Sequence, residues 1–184
     1  MSNLIYSMSV SLDGFIAGPN GEIDWGAPDE ELHRFHNDRV REQGLQLCGR
    51  GLYEVMRYWD TADEDWGEVE REFAAIWQGL PKIVFSKTLE EVEGNATLAR
   101  GVVPEEIARL KDETDGDVGV GGAGLAASLI ELGFVDEFHL FVCPVTLGAG
   151  TPFFPPLDRR IDLELVESRT FASRVVYTRY RRPG

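Results

Sequence analysis

The chain has 184 residues, 43% of them hydrophobic, enough to bury a full core in one domain. A formal net charge of −14 leaves no basic face for sequence-independent binding to nucleic acid or to an anionic membrane, so an anionic ligand would have to be held by a few local cations. No apolar run approaches the ~18 residues of a membrane helix, and Met1-Ser2-Asn3 leads into a strand without a basic-then-apolar signal, which makes cytoplasm the expected compartment.

Leu4, Tyr6, Met8, Val10 and Leu12 alternate with Ser7, Ser9 and Ser11, predicting a first strand with one apolar face and one face small enough to leave room for a ligand. The loop Asp13-Gly14-Phe15-Ile16-Ala17-Gly18-Pro19-Asn20-Gly21 keeps apolar anchors and runs on to Ile23 and Trp25, the mark of a lid or binding loop. Pro28-Asp29-Glu30-Glu31 opens a helix with Leu32, Phe35, His36, Arg39 and Val40 on one face. Its first-turn acids complement the helix dipole, and one of them is free to face a ligand cleft instead.

Leu45 to Cys48 is a short strand that closes on Gly49-Arg50-Gly51, where Leu52, Val55 and Met56 begin a helix. A Gly-Arg pair at such a turn offers backbone donors and a guanidinium to an anion. The acidic loop 60–65 precedes an amphipathic helix marked by Val69, Phe73, Ile76 and Trp77. Lys82 to Phe85 is a buried strand ending in Ser86-Lys87, again a hydroxyl and a cation at a strand's carboxyl end, the edge where open α/β sheets bind ligands. Ala96 to Ala99 predicts a strand, and Pro104-Glu105-Glu106 a helix start.

The stretch Asp117-Val118-Gly119-Val120-Gly121-Gly122-Ala123-Gly124-Leu125 reads as strand, tight turn and helix, with Leu125, Leu129 and Ile130 at helical spacing. Glycines let the backbone approach an anion, and free N–H groups at the helix start point toward it. Gly119, Gly121 and Gly124 satisfy the G-x-G-x-x-G spacing, but the following strand 138–143 lacks the terminal acid of a Rossmann unit. After a helix over 123–132, the run 137–143 predicts a central strand and Thr146 to Pro152 a glycine-rich loop. Segments 163–170 and 174–180 form a terminal hairpin around Ala172-Ser173. The alternation predicts a single α/β domain with a mixed, mostly parallel sheet and a C-terminal antiparallel hairpin. Cys48 and Cys143 read as reduced core residues, and His33, His36 and His139 lack a third partner at metal-ligand spacing, so no metal is expected.

Four separated segments carry a family resemblance: Ser11 to Ala17 continuing through Trp25; Gly49-Arg50-Gly51-Leu52-Tyr53-Glu54; Val84-Phe85-Ser86-Lys87; and Val120 to Gly124 followed by Pro144 to Gly150. In that order they resemble the dihydrofolate reductase superfamily. The closer likeness is to the reductase (C-terminal) domain of the bifunctional riboflavin-biosynthesis deaminase-reductase and its stand-alone relatives. It spans nearly the whole chain, 1–184, as one domain with the three-layer dihydrofolate-reductase-like fold.

The resemblance implies an NADPH-dependent reductase that delivers hydride to a small, heterocyclic or otherwise activated C=N, C=O or C=C compound. The alternatives it leaves are 5-amino-6-(5-phosphoribosylamino)uracil reductase of riboflavin biosynthesis and a non-catalytic dinucleotide-binding protein. It implies that Arg50 with Ser86 and Lys87 grips the adenosine 2′-phosphate, with Gly49 and Gly51 among the cofactor-binding residues. Gly121 and Gly122 would carry a strained cis peptide with Ala123 and Gly124 donating to the pyrophosphate, Leu125 would be a further cofactor contact, and Ile16 and Ala17 would lie on the nicotinamide. Ser9, Trp25, Glu30 and Tyr53 are the implied substrate contacts, Glu30 and Asp13 the implied catalytic acids, and a homodimer the implied assembly. The chain departs from the riboflavin-pathway pattern where polar substrate-binding residues are replaced by Ser7, Val120 and Met56.

Overall fold

The computed structural model describes residues 2–61 and 63–183. Met1, at the head of the Met1-Ser2-Asn3 lead-in, Ala62, inside the acidic 60–65 loop, and Gly184, the end of the 1–184 span, lie outside the described residues. Strand β1 (Leu4–Ser11) is the axis of the sheet, running parallel to β6 (Asp117–Gly121) on one side and to β7 (Glu137–Cys143) on the other. Beyond β6 lie β3 (Gln43–Gly49), β4 (Lys82–Phe85) and β5 (Ala96–Ala99), all parallel. Beyond β7 the antiparallel β10 (Val176–Arg181) and β9 (Glu164–Thr170) complete an eight-stranded sheet in the order β5-β4-β3-β6-β1-β7-β10-β9. A separate two-stranded ribbon joins β2 (Phe15–Ala17) to β8 (Thr151–Pro152).

Side-chain alternation sorts the helices onto two faces. Leu4, Tyr6, Leu45, Leu47, Val118, Val120 and Phe138 pack on one face against Ile107 of α4 (Pro104–Glu113) and Leu125, Ala126, Leu129 and Ile130 of α5 (Ala123–Glu131). On the other face, Phe141, Cys143 and Tyr177 meet Leu32 of α1 (Glu30–Arg41). Beside them Cys48 and Val84 meet Phe73 and Trp77 of α3 (Glu68–Gly79), with Tyr53 of α2 (Arg50–Met56). The result is the predicted three-layer arrangement, with both cysteines free and buried.

Boundaries move for local reasons. Helix α1 begins at Glu30 because Asp29 is its cap, accepting from the Leu32 N–H at 2.9 Å. Strand β10 begins at Val176, two residues later than predicted, because Arg174 turns the hairpin at φ 69° and donates to the Phe171 carbonyl. At the sheet's other end a buried ionic group ties β7 to β10: Glu137 accepts from His139 Nε2 at 2.9 Å and from Arg179 Nε and Nη2 at 2.7 Å each. This accounts for His139 as a structural partner in the sheet.

Candidate functional site

The parallel strands β3, β4 and β5 end side by side, and each terminus is followed by a cation, Arg50, Lys87 and Arg100 respectively. Beside them β6 ends at Gly121, whose register partner is Cys48, so Gly122 and Gly49 face each other across the end of the sheet. A Cβ on Gly122 would stand 3.4 Å from the Gly49 Cα, and Gly122 itself adopts φ 97°, a conformation L side chains rarely take. The positive φ therefore favours glycine at Gly122, whereas a Cβ on Gly49 would make only ordinary contacts, none closer than 3.7 Å. The Gly121–Gly122 peptide corrects the expectation of a cis bond: no cis peptide occurs among the described residues, and the turn is made instead by the positive φ of Gly122.

These strand ends open into a cleft of about 1010 Å³. Of the expected cofactor residues, Ile16, Ala17, Gly49, Arg50, Gly51, Ser86, Lys87, Gly122, Ala123, Gly124 and Leu125 all line it, while Gly121 faces the cavity next door. Gly122 caps α5 with no side-chain acceptor, so the N–H groups of Ala123, Gly124 and Leu125 have no intrahelical partner, while Ala126 N–H already bonds the Gly122 carbonyl. A Cβ at Gly51 or Gly124 would meet no heavy atom within 4 Å, so both glycines leave open space for a ligand. Arg50 is oriented by Glu54 at 2.7 Å and Thr88 at 2.8 Å. Ser86 is buried, and its hydroxyl accepts from the N–H groups of Thr88 and Leu89, shaping the turn that carries Lys87. Arg100 adds a third cation, held by the carbonyls of Ser86 and Leu89. Sequence reading assigned Arg100 no role, although Ala99-Arg100-Gly101 repeats the strand-then-cation signal of the other two edges.

A second cavity of about 310 Å³ adjoins the cleft on the α1/α3 face, and Met8, Ile16, Ile23, Leu52 and Val55 line both. Ser7 and Ser9 belong to its lining, so the small-residue face of β1 does leave the room expected of it. Trp25, Trp59, Phe73, Trp77 and Phe141 make its lining strongly aromatic, and His33 and His36 join from α1. Burial, with His33 adding a smaller push, lowers the His36 imidazole from its usual range to about 4. Burial also lowers His33, with Glu70 opposing it. Gln43 and Gln46 line the same cavity and escaped sequence reading; a glutamine inside a predicted strand carries no signal of which face it takes. Ser7, Val120 and Met56, the three positions of departure from the riboflavin-pathway pattern, all lie here.

Three expected site residues fall elsewhere. Tyr53 is buried between α2 and α3, where its hydroxyl accepts from the Glu93 N–H at 2.9 Å. Glu30 is exposed and paired along the helix with Arg34 at 2.8 Å, outside both cavities. Asp13 staples two loops: it accepts from the Ser11 hydroxyl at 2.6 Å and from the N–H groups of Leu147 and Gly148, which together hold its carboxyl down at about 2. That staple, the Leu12 N–H bond to Val145 and the β2–β8 ribbon anchor the 13–21 loop against the 145–152 loop. Trp25, by contrast, lines the second cavity. Among the described residues no group of three or more His, Cys, Asp and Glu side chains is arranged to hold a metal ion, and no helix is long and apolar enough to cross a membrane.

The sheet order and the cleft at its carboxyl edge define a dihydrofolate-reductase-like α/β protein. Solved structures agree on the fold: a putative riboflavin biosynthesis protein from Shewanella sp. PV-4 superimposes with a TM-score of 0.77 at 22% identity, covering 100% of both chains. Dihydrofolate reductase from Enterococcus faecalis, complexed with NADP(H) and RAB-propyl, gives 0.67 at 20% identity, over 99% of this chain and 97% of that one. The chain belongs to the RibD C-terminal domain family, whose model matches residues 2–177. It is 36% identical over 182 residues to the uncharacterized protein YyaP of Bacillus subtilis, 98% of this chain and 95% of that protein.

Proposed function

We propose that the chain is an NADPH-dependent reductase acting on a small, flat substrate. The observation that carries this reading is the junction of two unlike cavities: an elongated cleft with a glycine cradle and cations along one edge, opening past Ile16, Ile23 and Leu52 into a small aromatic pocket. A dinucleotide fits the first by its chemistry. The free N–H groups at the start of α5 suit a pyrophosphate, and Arg50, Lys87 and Arg100 suit a further phosphate, which favours NADPH over NADH. When bound there, NADPH supplies the hydride.

The chain's own residues do the rest. Ile16 and Ala17 bring an apolar wall to the junction, and the 13–21 loop that carries them is anchored to the 145–152 loop. Among the described residues no carboxylate lines the second cavity, so the proton that accompanies reduction is not assigned to Glu30 or Asp13. Burial lowers the His36 imidazole to about 4, so it is mainly neutral at neutral pH, and we assign the accompanying proton to water entering the junction. The sheet ends in β9, whose Leu165 and Val166 are exposed at an unpaired edge, and we assign this edge to a homodimer. Incubating the protein with NADPH and a panel of cyclic imines, quinones and enones, and following loss of reduced nicotinamide absorbance, tests the reading. Oxidation with at least one acceptor supports catalysis; NADPH binding with no oxidation by any of them favours a non-catalytic dinucleotide-binding role.

A further inference from the structure

The second cavity says more about what is reduced, an inference that rests on the reductase reading above. Among the described residues that line it there is no Asp, Glu, Lys or Arg. Its two titratable groups, His33 and His36, are both pushed toward the neutral form. A charged group entering the pocket would leave water for a lining that offers no counter-charge, and that transfer is strongly unfavourable. This is unexpected beside a cleft edged by three cations in a chain of net charge −14.

The lining is nevertheless not inert. Ser7 and Ser9 offer hydroxyls, and Gln43 and Gln46 bring two amides over Gly119, where a Cβ would stand 2.2 Å from Gln46 Oε1 and 2.6 Å from Gln43 Oε1. The absence of a side chain at Gly119 makes room for both amides. Gln43 reaches this face because the β3–β6 register slips at Gly44: Gln43 pairs with Asp117 and Leu45 with Val118, so the extra residue turns Gln43 over. Glycine is required at the bulge, since a Cβ on Gly44 would lie 2.0 Å from the Asp115 carbonyl oxygen. Gln43 Oε1 is buried with no hydrogen-bond partner, a rare condition for an amide. Gln46, by comparison, spends an amide hydrogen on the Leu47 carbonyl at 3.1 Å. By turning over, the Gln43 amide can present either its oxygen or its nitrogen to a ligand.

We propose that this pocket selects an uncharged, flat, conjugated ring whose lactam or carbonyl edge pairs with the Gln43 amide, and that it rejects compounds whose anionic group must enter it. Five aromatic side chains favour a planar ligand, and about 310 Å³ is at the small end of ligand pockets, roughly 300–1,000 Å³.

Three probes test the proposal: quinoxalin-2-one, a neutral bicyclic lactam; its 3-carboxylate, which adds one negative charge; and quinoxaline, which lacks the lactam edge. Each is titrated calorimetrically into the unaltered chain, alone and with NADP⁺ present. The expected order is lactam tightest, quinoxaline about 5-fold weaker, and carboxylate at least about 100-fold weaker than the lactam. In Gln43→Met the lactam should fall to the affinity of quinoxaline while quinoxaline itself is unchanged. Carboxylate binding equal to or tighter than the lactam overturns the proposal, and so does failure of all three to bind. If Gln43→Met does not fold, the carboxylate comparison on the unaltered chain decides. NADPH affinity is measured separately: cofactor binding without the neutral-ring preference removes only this proposal, whereas the preference without cofactor binding removes the reductase reading and leaves the pocket's selectivity standing.

Discussion

Gly124→Ala separates the folding role of the glycine cradle from its binding role, because the two effects have opposite signs. Gly124 is the second residue of α5, and a Cβ there meets no heavy atom within 4 Å. Its φ lies outside the left-handed range, so alanine fits the backbone as it stands. Replacing glycine by alanine in a helix removes backbone freedom from the unfolded chain and should stabilise the protein by about 0.5–1 kcal/mol. The same methyl projects into the cleft beside the free N–H groups of α5. An anion pushed off one charge-assisted hydrogen bond loses about 1.5–3 kcal/mol, or roughly 10- to 150-fold in affinity. Urea unfolding without cofactor and calorimetric titration of NADPH read the two effects independently. A more stable variant with NADPH affinity unchanged within about two-fold would refute the cradle. Gly122→Ala is the contrasting control: at φ 97°, with the Gly49 Cα 3.4 Å from the new Cβ, it should destabilise the fold itself by about 1–3 kcal/mol.

Arg50→Ala and Arg100→Ala should each weaken NADPH far more than NADH in parallel titrations, and equal losses for both cofactors would remove the 2′-phosphate assignment. Glu54→Gln, which releases Arg50 from its ion pair, should strengthen NADPH modestly, whereas weaker binding would mean that Glu54 is needed to aim the guanidinium. The pH dependence of stability carries a His36 signature. Its folded value of about 4 lies below the ordinary 6.5, so between these the unfolded chain holds a proton that the folded chain does not. Stability should fall as pH is lowered through that window, by up to about 3 kcal/mol from this group, and His36→Gln should flatten the stretch in urea titrations at successive pH values. At the β9 edge, Leu165→Asp should shift a dimer toward monomer in light scattering; a wild-type chain already monomeric at micromolar concentration would remove the homodimer.

The cleft proposed for the cofactor is readable in the sequence because its chemistry is local. Gly49-Arg50, Ser86-Lys87 and Gly121 to Gly124 each sit where a strand ends, and a parallel sheet necessarily gathers such ends along one edge. The second cavity, proposed for the substrate, is not local. Gln43 reaches the cavity only through a one-residue register slip, and His33 and His36 do so only because α1 packs over the serine face of β1. Neither event leaves a pattern in periodicity. Motif position also misled where loops differ: Glu30 follows Trp25 at a suggestive distance, yet the turn of α1 sends it to Arg34 and the solvent. Asp13 and Tyr53 stand inside family-like segments, but their polar atoms are spent on Leu147, Gly148 and Glu93 backbone groups.

The most direct test of the central claim is a side-by-side titration of NADPH and NADH, at low and at physiological salt. A one-to-one complex that prefers NADPH, with the preference shrinking as salt screens the exposed Arg50, Lys87 and Arg100, is the predicted result. Equal affinity for the two cofactors, or no binding of either, would contradict it.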